Sequence, residues 1–326
     1  MSVSDRQMLL IKVLADGQCH SGQALGQLLG VSRAAVWKQL QSLQGLGLVV
    51  HSQAGRGYRL AQPISLLSAE IIEGFLTAGR PWLAALTCFD SIDSTNAYLL
   101  RQANTSTIGG NVILAEQQTA GRGRRGRRWI TPFGGSLCLS VGWQLEQGVS
   151  ALEGLSLAVG VVVVEALQSL GVTGLSLKWP NDLLLAGRKL GGILLEIGGD
   201  LSGQCHLVLG LGLNVAMSPE QGAEVDQPWA AVSEQLPDYN RNQLAACLLD
   251  AILPLLATYP TDGFHPYRER WQALHAYRNQ AVLVLRGGEE LVGICRDLDV
   301  TGALCVETPE GMVRLQGGEI SLRRHQ

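Results

Sequence analysis

Four short segments of the sequence combine charged or amide side chains with glycine or proline in ways that could bind and activate an anionic ligand. The first, residues 121–128, reads GRGRRGRR and places five arginines within the seven residues 122–128. Glycines allow a backbone to approach a ligand closely, and arginines grip carboxylates or phosphates. Because like charges repel, we expect this loop to stay mobile until an anion neutralises it. A nucleic-acid arm or a solvated basic loop would have the same composition.

The arginine-rich loop also contains the pattern GxGxxG at residues 121–126, which is typical of dinucleotide sites. In those sites the glycines follow a strand and open a helix. Here the sequence TPFGG follows at residues 131–135, and its proline and two glycines break any helix. The pattern therefore does not predict a dinucleotide-binding fold.

The second segment, Asp93-Ser94-Thr95-Asn96, opens a predicted helix directly after a predicted strand. Hydroxyl and amide groups at a helix start could bind the neutral polar head of a ligand. Ser94 could equally act only as an N-cap, which is the commonest role of serine at such a position.

The third segment, KWPND at residues 178–182, lies between two predicted strands. Pro180 restricts the backbone, so that Asn181 and Asp182 are presented at a rigid bend. A carboxylate there could hold Mg²⁺ on a triphosphate, with Lys178 close by. An ordinary turn has the same composition.

The fourth segment, RKLGGILLE at residues 188–196, begins a predicted strand with Lys189 beside a glycine pair. Lys189 could reach a carboxylate or the acyl phosphate formed from it, or it could simply face solvent at the strand end. Taken together, the four segments predict a carboxylate-activating site: polar groups for a ligand head, a cationic loop, an acid suited to Mg²⁺ and a lysine.

Length and local patterns predict three domains, at residues 1–62, 63–275 and 276–326, because 326 residues allow two or three compact units. In the first, helices at 8–15, 22–29 and 33–43 with a short glycine turn form a helix-turn-helix, and a hairpin around 48–60 adds a wing. The second alternates strands and helices, with turns between several adjacent strands, so we expect an α+β fold with a mixed or antiparallel sheet. The third contains only short strands and turns, which predicts a small β-barrel.

Charge distribution indicates an anionic partner for the first domain. Residues 1–60 carry a net charge of +4 and the whole chain −3, which leaves −7 for the remainder. A basic module on an acidic body is typical of DNA binding. Five side chains of the third helix and the wing are expected to reach DNA: Ser32, Arg33, Trp37, Lys38 and Arg56. A helical interaction domain with a solvated basic face is the alternative.

Cysteines, histidines and apolar runs predict a cytoplasmic protein without a structural metal. The seven cysteines are scattered and form no CxxC pair, and the six histidines show no HExxH spacing. We expect no membrane span, because polar residues interrupt the longest apolar run, and no signal peptide, because Asp5 and Arg6 stand in the first ten residues.

In this order and spacing, the four segments closely resemble those of biotin–protein ligases. With the winged helix-turn-helix in front, the chain resembles, over essentially its full length, the family of bacterial bifunctional biotin ligases and biotin operon repressors. The resemblance implies a central fold like that of class II aminoacyl-tRNA synthetases and biotin ligases, and an SH3-like C-terminal barrel. It also implies that biotin and ATP react to biotinyl-5′-adenylate, with Mg²⁺ on the nucleotide, and that a lysine of an acceptor protein then takes the biotin.

The resemblance also assigns roles to residues of this sequence. Biotin would contact Ser94, Thr95, Asn96, Gln118, Arg122, Gly123, Arg124 and Lys189. ATP or the adenylate would contact Arg127, Lys178, Asn181, Asp182, Asn214 and Arg323. Lys189 would polarise the carboxylate, Arg124 would retain the adenylate, and Asp182 would hold Mg²⁺ and help to deprotonate the incoming lysine. Trp229 would pack over the nucleotide or belong to the core.

The partners implied by the resemblance are the biotin carboxyl carrier protein of acetyl-CoA carboxylase, operator DNA, and a second copy of the chain in a homodimer favoured by biotinyl-5′-adenylate. Three alternatives are weighed against this assignment. A lipoate ligase would share the chemistry, but the arginine-rich loop and the DNA-binding domain disfavour it. A repressor without catalysis would not need Lys189, Arg124 and Asp182, and a ligase whose N-terminal module has lost DNA binding would not need its basic residues.

Overall fold

The structure, a computed structural model, describes residues 3–146, 148, 152–199, 205–222, 225–286, 289–317 and 320–324. Its strands form sheets of two, seven and five members, so that the predicted α+β class is confirmed. The described α-helices are α1 (Asp5–Leu14), α2 (Gly22–Leu29), α3 (Arg33–Ser42), α4 (Ala69–Phe75), α5 (Thr95–Ala103), α6 (Leu155–Ser169), α7 (Pro219–Gly222), α8 (Arg241–Asp262) and α9 (His265–Ala273). The strands are β1 (Val50–Gln53), β2 (Gly57–Leu60), β3 (Ala85–Phe89), β4 (Asn111–Ala115), β5 (Ser136–Leu145), β6 (Leu175–Lys178), β7 (Asp182–Leu185), β8 (Arg188–Gly199), β9 (Cys205–Asn214), β10 (Ala281–Arg286), β11 (Glu289–Leu298), β12 (Leu304–Thr308), β13 (Gly311–Leu315) and β14 (Ile320–Arg324).

The N-terminal module is the predicted helix-turn-helix with a wing. Ser21 and Ser32 cap α2 and α3 by accepting hydrogen bonds from backbone N–H groups three residues on. Gly30, at φ 64°, makes the left-handed turn between the two helices. The first wing strand begins at Val50, not at Leu48 as predicted, because the backbone N–H of Leu48 donates to the carbonyl of Leu43 in the preceding helical turn.

The central sheet has the order β3-β4-β5-β9-β8-β7-β6, and it is mixed as expected. Strands β3 and β4 pair in parallel, and every other neighbouring pair is antiparallel. The predicted segments lie on one face of this sheet and at one of its edges. Helix α5 crosses β5 and β9 on that face, and the bend between β6 and β7, at the edge of the sheet, lies next to β8.

Helices α6 and α8 pack against each other and cover the sheet face opposite α5. Valines and leucines of α6 are almost all buried, and each contributes roughly 1.5–3 kcal/mol when removed from water. Helix α8, with 22 residues, is long and apolar enough to cross a membrane by length and composition alone. More than half of its apolar window is buried inside the molecule, as in the core helix of a soluble protein.

The C-terminal part is all-β, as predicted, with the strand order β13-β12-β11-β10-β14 and antiparallel pairing throughout. Trp179 of the KWPND bend is buried, and its indole Nε1 donates to the carbonyl of Gly302, 3.1 Å away. The C-terminal sheet therefore braces the bend that presents Asn181 and Asp182.

The N-terminal module and the body contact each other through packed side chains and hydrogen bonds, in addition to the polypeptide that connects them. Phe133, which follows the arginine-rich loop, is buried in the core of the N-terminal module. Ile64 N donates to the carbonyl of Ala15, and Gln221 Nε2 donates to that of Gly47, each at 2.9 Å. The segment after residue 62, the segment that carries Phe133 and helix α7 thus contact the module.

Candidate active site

One open cavity of about 480 Å³ lies between the arginine-rich loop, the start of α5 and the β6–β9 half of the sheet. Thirteen of the fourteen residues expected to contact biotin or nucleotide line it. These are Ser94, Thr95, Asn96, Gln118, Arg122, Gly123, Arg124, Arg127, Lys178, Asn181, Asp182, Lys189 and Asn214.

The N-terminus of α5 forms a polar pocket at one end of the cavity. Ser94 is the N-cap residue, and its hydroxyl accepts from Ala97 N. The N-cap interpretation is therefore confirmed for Ser94, which also lines the cavity, while its contact with a ligand stays a prediction. Thr95 N and the Thr95 hydroxyl both donate to Gln118 Oε1, at 2.8 and 3.0 Å, which fixes the Gln118 side chain against the pocket.

Two side chains that had no predicted role hold Asn96 of this pocket in place, although neither lines the cavity itself. Ser140 of β5 is fully buried, and its hydroxyl lies 2.6 Å from Asn96 Oδ1 and 2.7 Å from Thr95 Oγ1. Glu196 of β8 accepts from Asn96 Nδ2 at 2.8 Å. A signal for both was present in the sequence: Ser140 is polar within a buried strand, and Glu196 ends the RKLGGILLE segment.

The arginine-rich loop forms a tight turn against the cavity. Gly123 N donates to the carbonyl of Arg127, and Arg125 adopts a left-handed φ of 60° at the tip. Residues 129–135 after the loop are not helical, so the loop does not open a helix as a dinucleotide-binding loop would. Arg124 donates to Asn181 Oδ1 at 3.0 Å, and burial lowers the pKa of Arg124 while the nearby Asp182 opposes that shift. The loop thus lies against the KWPND bend in this structure.

Lys178, Asp182 and Lys189 form a charged cluster across β6, β7 and β8. Lys189 Nζ lies 2.7 Å from Asp182 Oδ1, and Lys178 Nζ lies 3.8 Å from Asp182 Oδ2. The β6–β7 register places Lys178 directly opposite Asp182. Burial lowers the pKa of Lys178, Asp182 opposes the shift, and Lys189 adds to it. Two lysines held by one carboxylate leave a local excess of positive charge beside the cavity.

Three tryptophans, Trp129, Trp179 and Trp229, also line the cavity. Lys189 Nζ lies 5.7 Å from the ring centre of Trp129, a cation–π distance. The Trp129 indole occupies the space that a side chain at Gly212 would fill, since a Cβ there would lie 2.6 Å from the ring. Trp229, for which the sequence left two interpretations open, lines the cavity and rests on Gly222 in the same way.

Comparison with known sequences identifies the family of the chain. The family model described as "Biotin/lipoate A/B protein ligase family" matches residues 88–214. Models of an HTH domain and of the biotin protein ligase C-terminal domain match residues 6–59 and 278–323. The bifunctional ligase/repressor BirA of Escherichia coli (strain K12) is 43% identical over 96% of each chain.

The chain belongs to the biotin protein ligase family. A second relative, the biotin–[acetyl-CoA-carboxylase] ligase of Mycobacterium tuberculosis, is 35% identical over 80% of this chain and 97% of its own. Among solved structures, the biotin protein ligase from Aquifex aeolicus in complex with biotin and ATP has a TM-score of 0.64 and is 29% identical. That match covers 74% of this chain and 100% of the Aquifex chain.

Arg323 is the one residue expected to contact biotin or nucleotide in this ligase that does not line the cavity. Side chains alternate along a strand, so Ile320 and Leu322 of β14 face the cavity while Arg323 is exposed on the other face. The expectation that its side chain folds into the site is therefore wrong for this structure. Its positive charge still contributes to the lowered pKa of Lys178.

Asn214 lines the cavity of the ligase, but its amide group is bonded to backbone. Nδ2 donates to the carbonyl of Lys189 at 3.3 Å and to that of Ala230 at 3.1 Å. The backbone of Lys189 is also paired with the 228–230 segment, through Lys189 N and Ala230 N. Asn214 therefore positions the strand that carries Lys189.

The residues expected to contact DNA lie together on the N-terminal module, away from the ligase cavity. Arg33, Trp37 and Lys38 are exposed on α3, and Arg56 is exposed in the turn between β1 and β2. Ser32 is exposed as well, but its hydroxyl caps α3. The Trp37 ring lies 5.8 Å from that of Tyr58, so it also braces the helix against the wing.

Proposed function

We propose that this chain activates biotin with ATP, transfers the biotin to an acceptor lysine, and binds operator DNA through its N-terminal module. The observation that carries the enzymatic part is that the polar pocket at α5 and the cations Lys189, Lys178 and Arg124 open into one cavity. A neutral ligand head in the pocket would direct a carboxylate tail toward these cations. Adenylation brings two anions together, so cations and positioning are the help that the reaction needs.

In the first step, a carboxylate oxygen of biotin attacks the α-phosphorus of ATP. The new O–P bond forms as the bond to the β-phosphate oxygen breaks, and pyrophosphate leaves with the electron pair. Lys189 is the group we assign to the biotin carboxylate, since it contacts Asp182 of the KWPND bend and Trp129 and lines the same cavity as the polar pocket. Its partner Asp182, 2.7 Å away, holds the ammonium in place until the substrate carboxylate replaces it.

Arg122, Gly123 and Arg124 would then close over the adenylate, with Gln118 on the biotin side and Arg127 toward the phosphates. Arg124 is already turned toward the KWPND bend through Asn181. Because it is partly buried, its charge acts on a bound phosphate with little screening by water. We assign to it the retention of the reactive intermediate.

Magnesium fits this site only as an ion that accompanies the triphosphate. Among the described residues no group of three His, Cys, Asp or Glu side chains could hold a metal. Asp182 offers one carboxylate, shared with two lysines, and Mg²⁺ on nucleotides needs only one or two carboxylates besides phosphate and water oxygens. We propose that Asp182 contacts Mg²⁺ delivered on ATP, with Asn181 beside it.

In the second step, a neutral acceptor lysine attacks the carbonyl carbon of the adenylate. The C–N bond forms, AMP leaves, and the amine loses a proton. Asp182 is the carboxylate within the cluster that could take this proton once Lys189 has moved to the ligand. The acceptor we propose is the biotin carboxyl carrier protein of acetyl-CoA carboxylase, as the name of the mycobacterial relative suggests.

The enzymatic proposal is tested by incubating the full chain with a purified carrier domain, ATP, Mg²⁺ and either biotin or lipoate. We expect an increase in carrier mass by one biotinyl group, with lipoate in excess neither transferred nor competing. Transfer of lipoate instead would make the chain a lipoate ligase, and no transfer of either acid by folded protein would contradict the proposal.

The regulatory part of the proposal rests on the exposed basic groups of α3 and the wing. The E. coli relative carries "repressor" in its name, and we propose the same role here with biotinyl-5′-adenylate as corepressor. A homodimer favoured by the adenylate would place two modules on a two-fold operator. Sedimentation of the chain with and without biotin plus ATP tests this coupling, which is wrong if the dimer fraction does not change.

We further propose that residues 1–62, 63–275 and 276–326 are the folding units, and that the protein works in the cytoplasm. The seven cysteines are scattered along the sequence without a CxxC pair, a pattern that is typical of a reducing compartment. Limited proteolysis that first cuts near residues 62 and 275 would support the division.

A further inference from the structure

Glu196 lies where the polar pocket and the arginine-rich loop meet. It stands on β8, seven residues after Lys189, and its side chain is 23% exposed. Its Oε2 accepts from Asn96 Nδ2 at 2.8 Å. Both of its oxygens also lie within 3.3 Å of Arg122 Nη2. One carboxylate therefore contacts a buried pocket residue and a loop residue at once.

The hydrogen-bond pattern shows what Glu196 does for Asn96. An ionised carboxylate only accepts hydrogen bonds, so the Asn96 amide must turn its NH₂ group toward Glu196 and its oxygen toward Ser140. Asn96 is almost fully buried, and a Cβ at Gly210 would lie 2.3 Å from Asn96 Oδ1. The side chain fits in one place, and Glu196 determines which end of the amide faces which neighbour.

The contact with Arg122 gives the loop a fixed point on the sheet. An exposed ion pair alone contributes little, because water screens it. Here the same carboxylate is already held by a buried amide, so the chain Arg122–Glu196–Asn96–Ser140 links the loop to the interior of the pocket. Charge-assisted hydrogen bonds of this kind are stronger than neutral ones.

We propose that Glu196 is a positioning residue for the reaction. It orients the Asn96 amide for the ligand head and fastens the arginine-rich loop over the cavity through Arg122. It acts through these two residues and does not touch the reacting atoms. The inference rests on the proposed function where it concerns biotin, and on the structure alone where it concerns the loop.

The first test uses the loop's own arginines as trypsin sites. With ligand-free full-length protein, E196Q keeps the shape of the side chain and removes its charge. We expect cleavage within residues 122–128, identified by mass spectrometry, to accelerate about fivefold, while the melting temperature stays within a degree or two. The matched control is E307Q, which removes the carboxylate partner of Arg296 in the C-terminal sheet, 2.6 Å apart, and should leave loop cleavage unchanged.

The second test measures the kinetics of adenylation. For E196Q we expect the KM for biotin to rise about fivefold with kcat changed less than twofold, because pocket and loop order change while Lys189 stays in place. The combined effect of R122Q and E196Q should be smaller than the sum of the two single effects, since the Arg122–Glu196 contact is lost in both single variants.

Three results would overturn the proposal: loop cleavage at the wild-type rate in E196Q, additive effects of R122Q and E196Q, or a lowered KM for biotin. The last would mean that Glu196 competes with the ligand's anion for Arg122. The proteolysis test contains no biotin, so a failure of the proposed enzymatic function would leave its result intact and would be recognised separately.

Discussion

Lys189 Nζ and Asp182 Oδ1 lie 2.7 Å apart at the junction of β7 and β8, with side chains that are 17% and 16% exposed. The bulge between Leu183 and Leu184 and the pairing of Lys189 with the 228–230 segment hold the two strands in this register. The pair places an ammonium group at the point where the polar pocket gives way to the cationic part of the cavity. This placement is the basis of the assignment of Lys189 to carboxylate activation.

Arg124→Gly should uncouple synthesis of the adenylate from its retention. Arg124 is partly buried and donates to Asn181, so its loss opens the cavity without removing Lys189. We expect pyrophosphate release to continue and bystander lysines on added serum albumin to become biotinylated, as read by streptavidin blot. Arg125→Gly is the control: Arg125 is exposed at φ 60°, a conformation that suits glycine, so labelling should stay confined to the carrier. Equal specificity of both variants would contradict the role given to Arg124.

Lys38→Ala should weaken DNA binding and leave ligase activity unchanged. Lys38 is exposed on α3, outside the cavity. If it contacts a phosphate, its loss lowers the slope of log affinity against log salt concentration by about one. Fluorescence anisotropy with operator-length duplexes at several salt concentrations measures this slope. An unchanged slope would remove Lys38 from the proposed interface.

Arg241→Ala should be strongly destabilising, although the residue lies outside the active site. Arg241 and Glu116 form an ion pair of 2.6 Å with side chains 2% and 3% exposed, and Arg241 also donates to the carbonyls of Ser65 and Ser136. Removing one partner leaves a buried charge, which costs about 3–5 kcal/mol. Urea denaturation should show this loss in the free energy of unfolding. Glu116→Gln with Arg241→Met should lose less, because no charge is left buried; an equal loss would refute the explanation.

His275 should make the protein less stable as the pH falls. Burial lowers its pKa from 6.5 to about 4, while the unfolded chain keeps the ordinary value. The neutral ring is therefore favoured in the folded state, and the stability it contributes is complete above pH 6.5 and lost as the pH falls toward 4. Between pH 6.5 and 4, the free energy of unfolding should fall by about 1.4 kcal/mol for each pH unit. Denaturation midpoints at pH 7.5 and 5 should differ less in His275→Gln than in wild type, and His51→Gln, at an exposed site, should behave like wild type.

Much of the fold and site could be predicted because the signals are local. The second and third helices of the first domain, the short glycine turn between them and the N-cap at Ser94 each depend on a few neighbouring residues. The motif residues could also be assigned to one site. They lie at the ends of strands and the starts of helices, where side chains from different elements come close together. Helix α9 was not predicted, because its sequence HPYRERWQA has only a weak apolar stripe.

The parts that could not be predicted depend on long-range register. Ser140 and Glu196 meet at Asn96 because β8 and β5 both flank β9, which no local pattern in the sequence reveals. The orientation of the Arg323 side chain depends on which face of β14 turns toward the cavity. The sequence motif identifies the residue, but it does not show on which face of the strand the side chain lies. Phe133 follows the arginine-rich loop and yet belongs to the core of the N-terminal module, which is likewise visible only in three dimensions.

The most direct test of the account is biotin- and ATP-dependent release of pyrophosphate, measured with wild type, Lys189→Ala and the surface control Lys38→Ala. The account predicts release by wild type and Lys38→Ala only when both substrates are present, and a reduction of about 100-fold or more in Lys189→Ala, the size expected when a group that stabilises reacting charge is lost. Release by Lys189→Ala at the wild-type rate, or no release from folded wild-type protein, would contradict the assignment of this cavity to carboxylate adenylation.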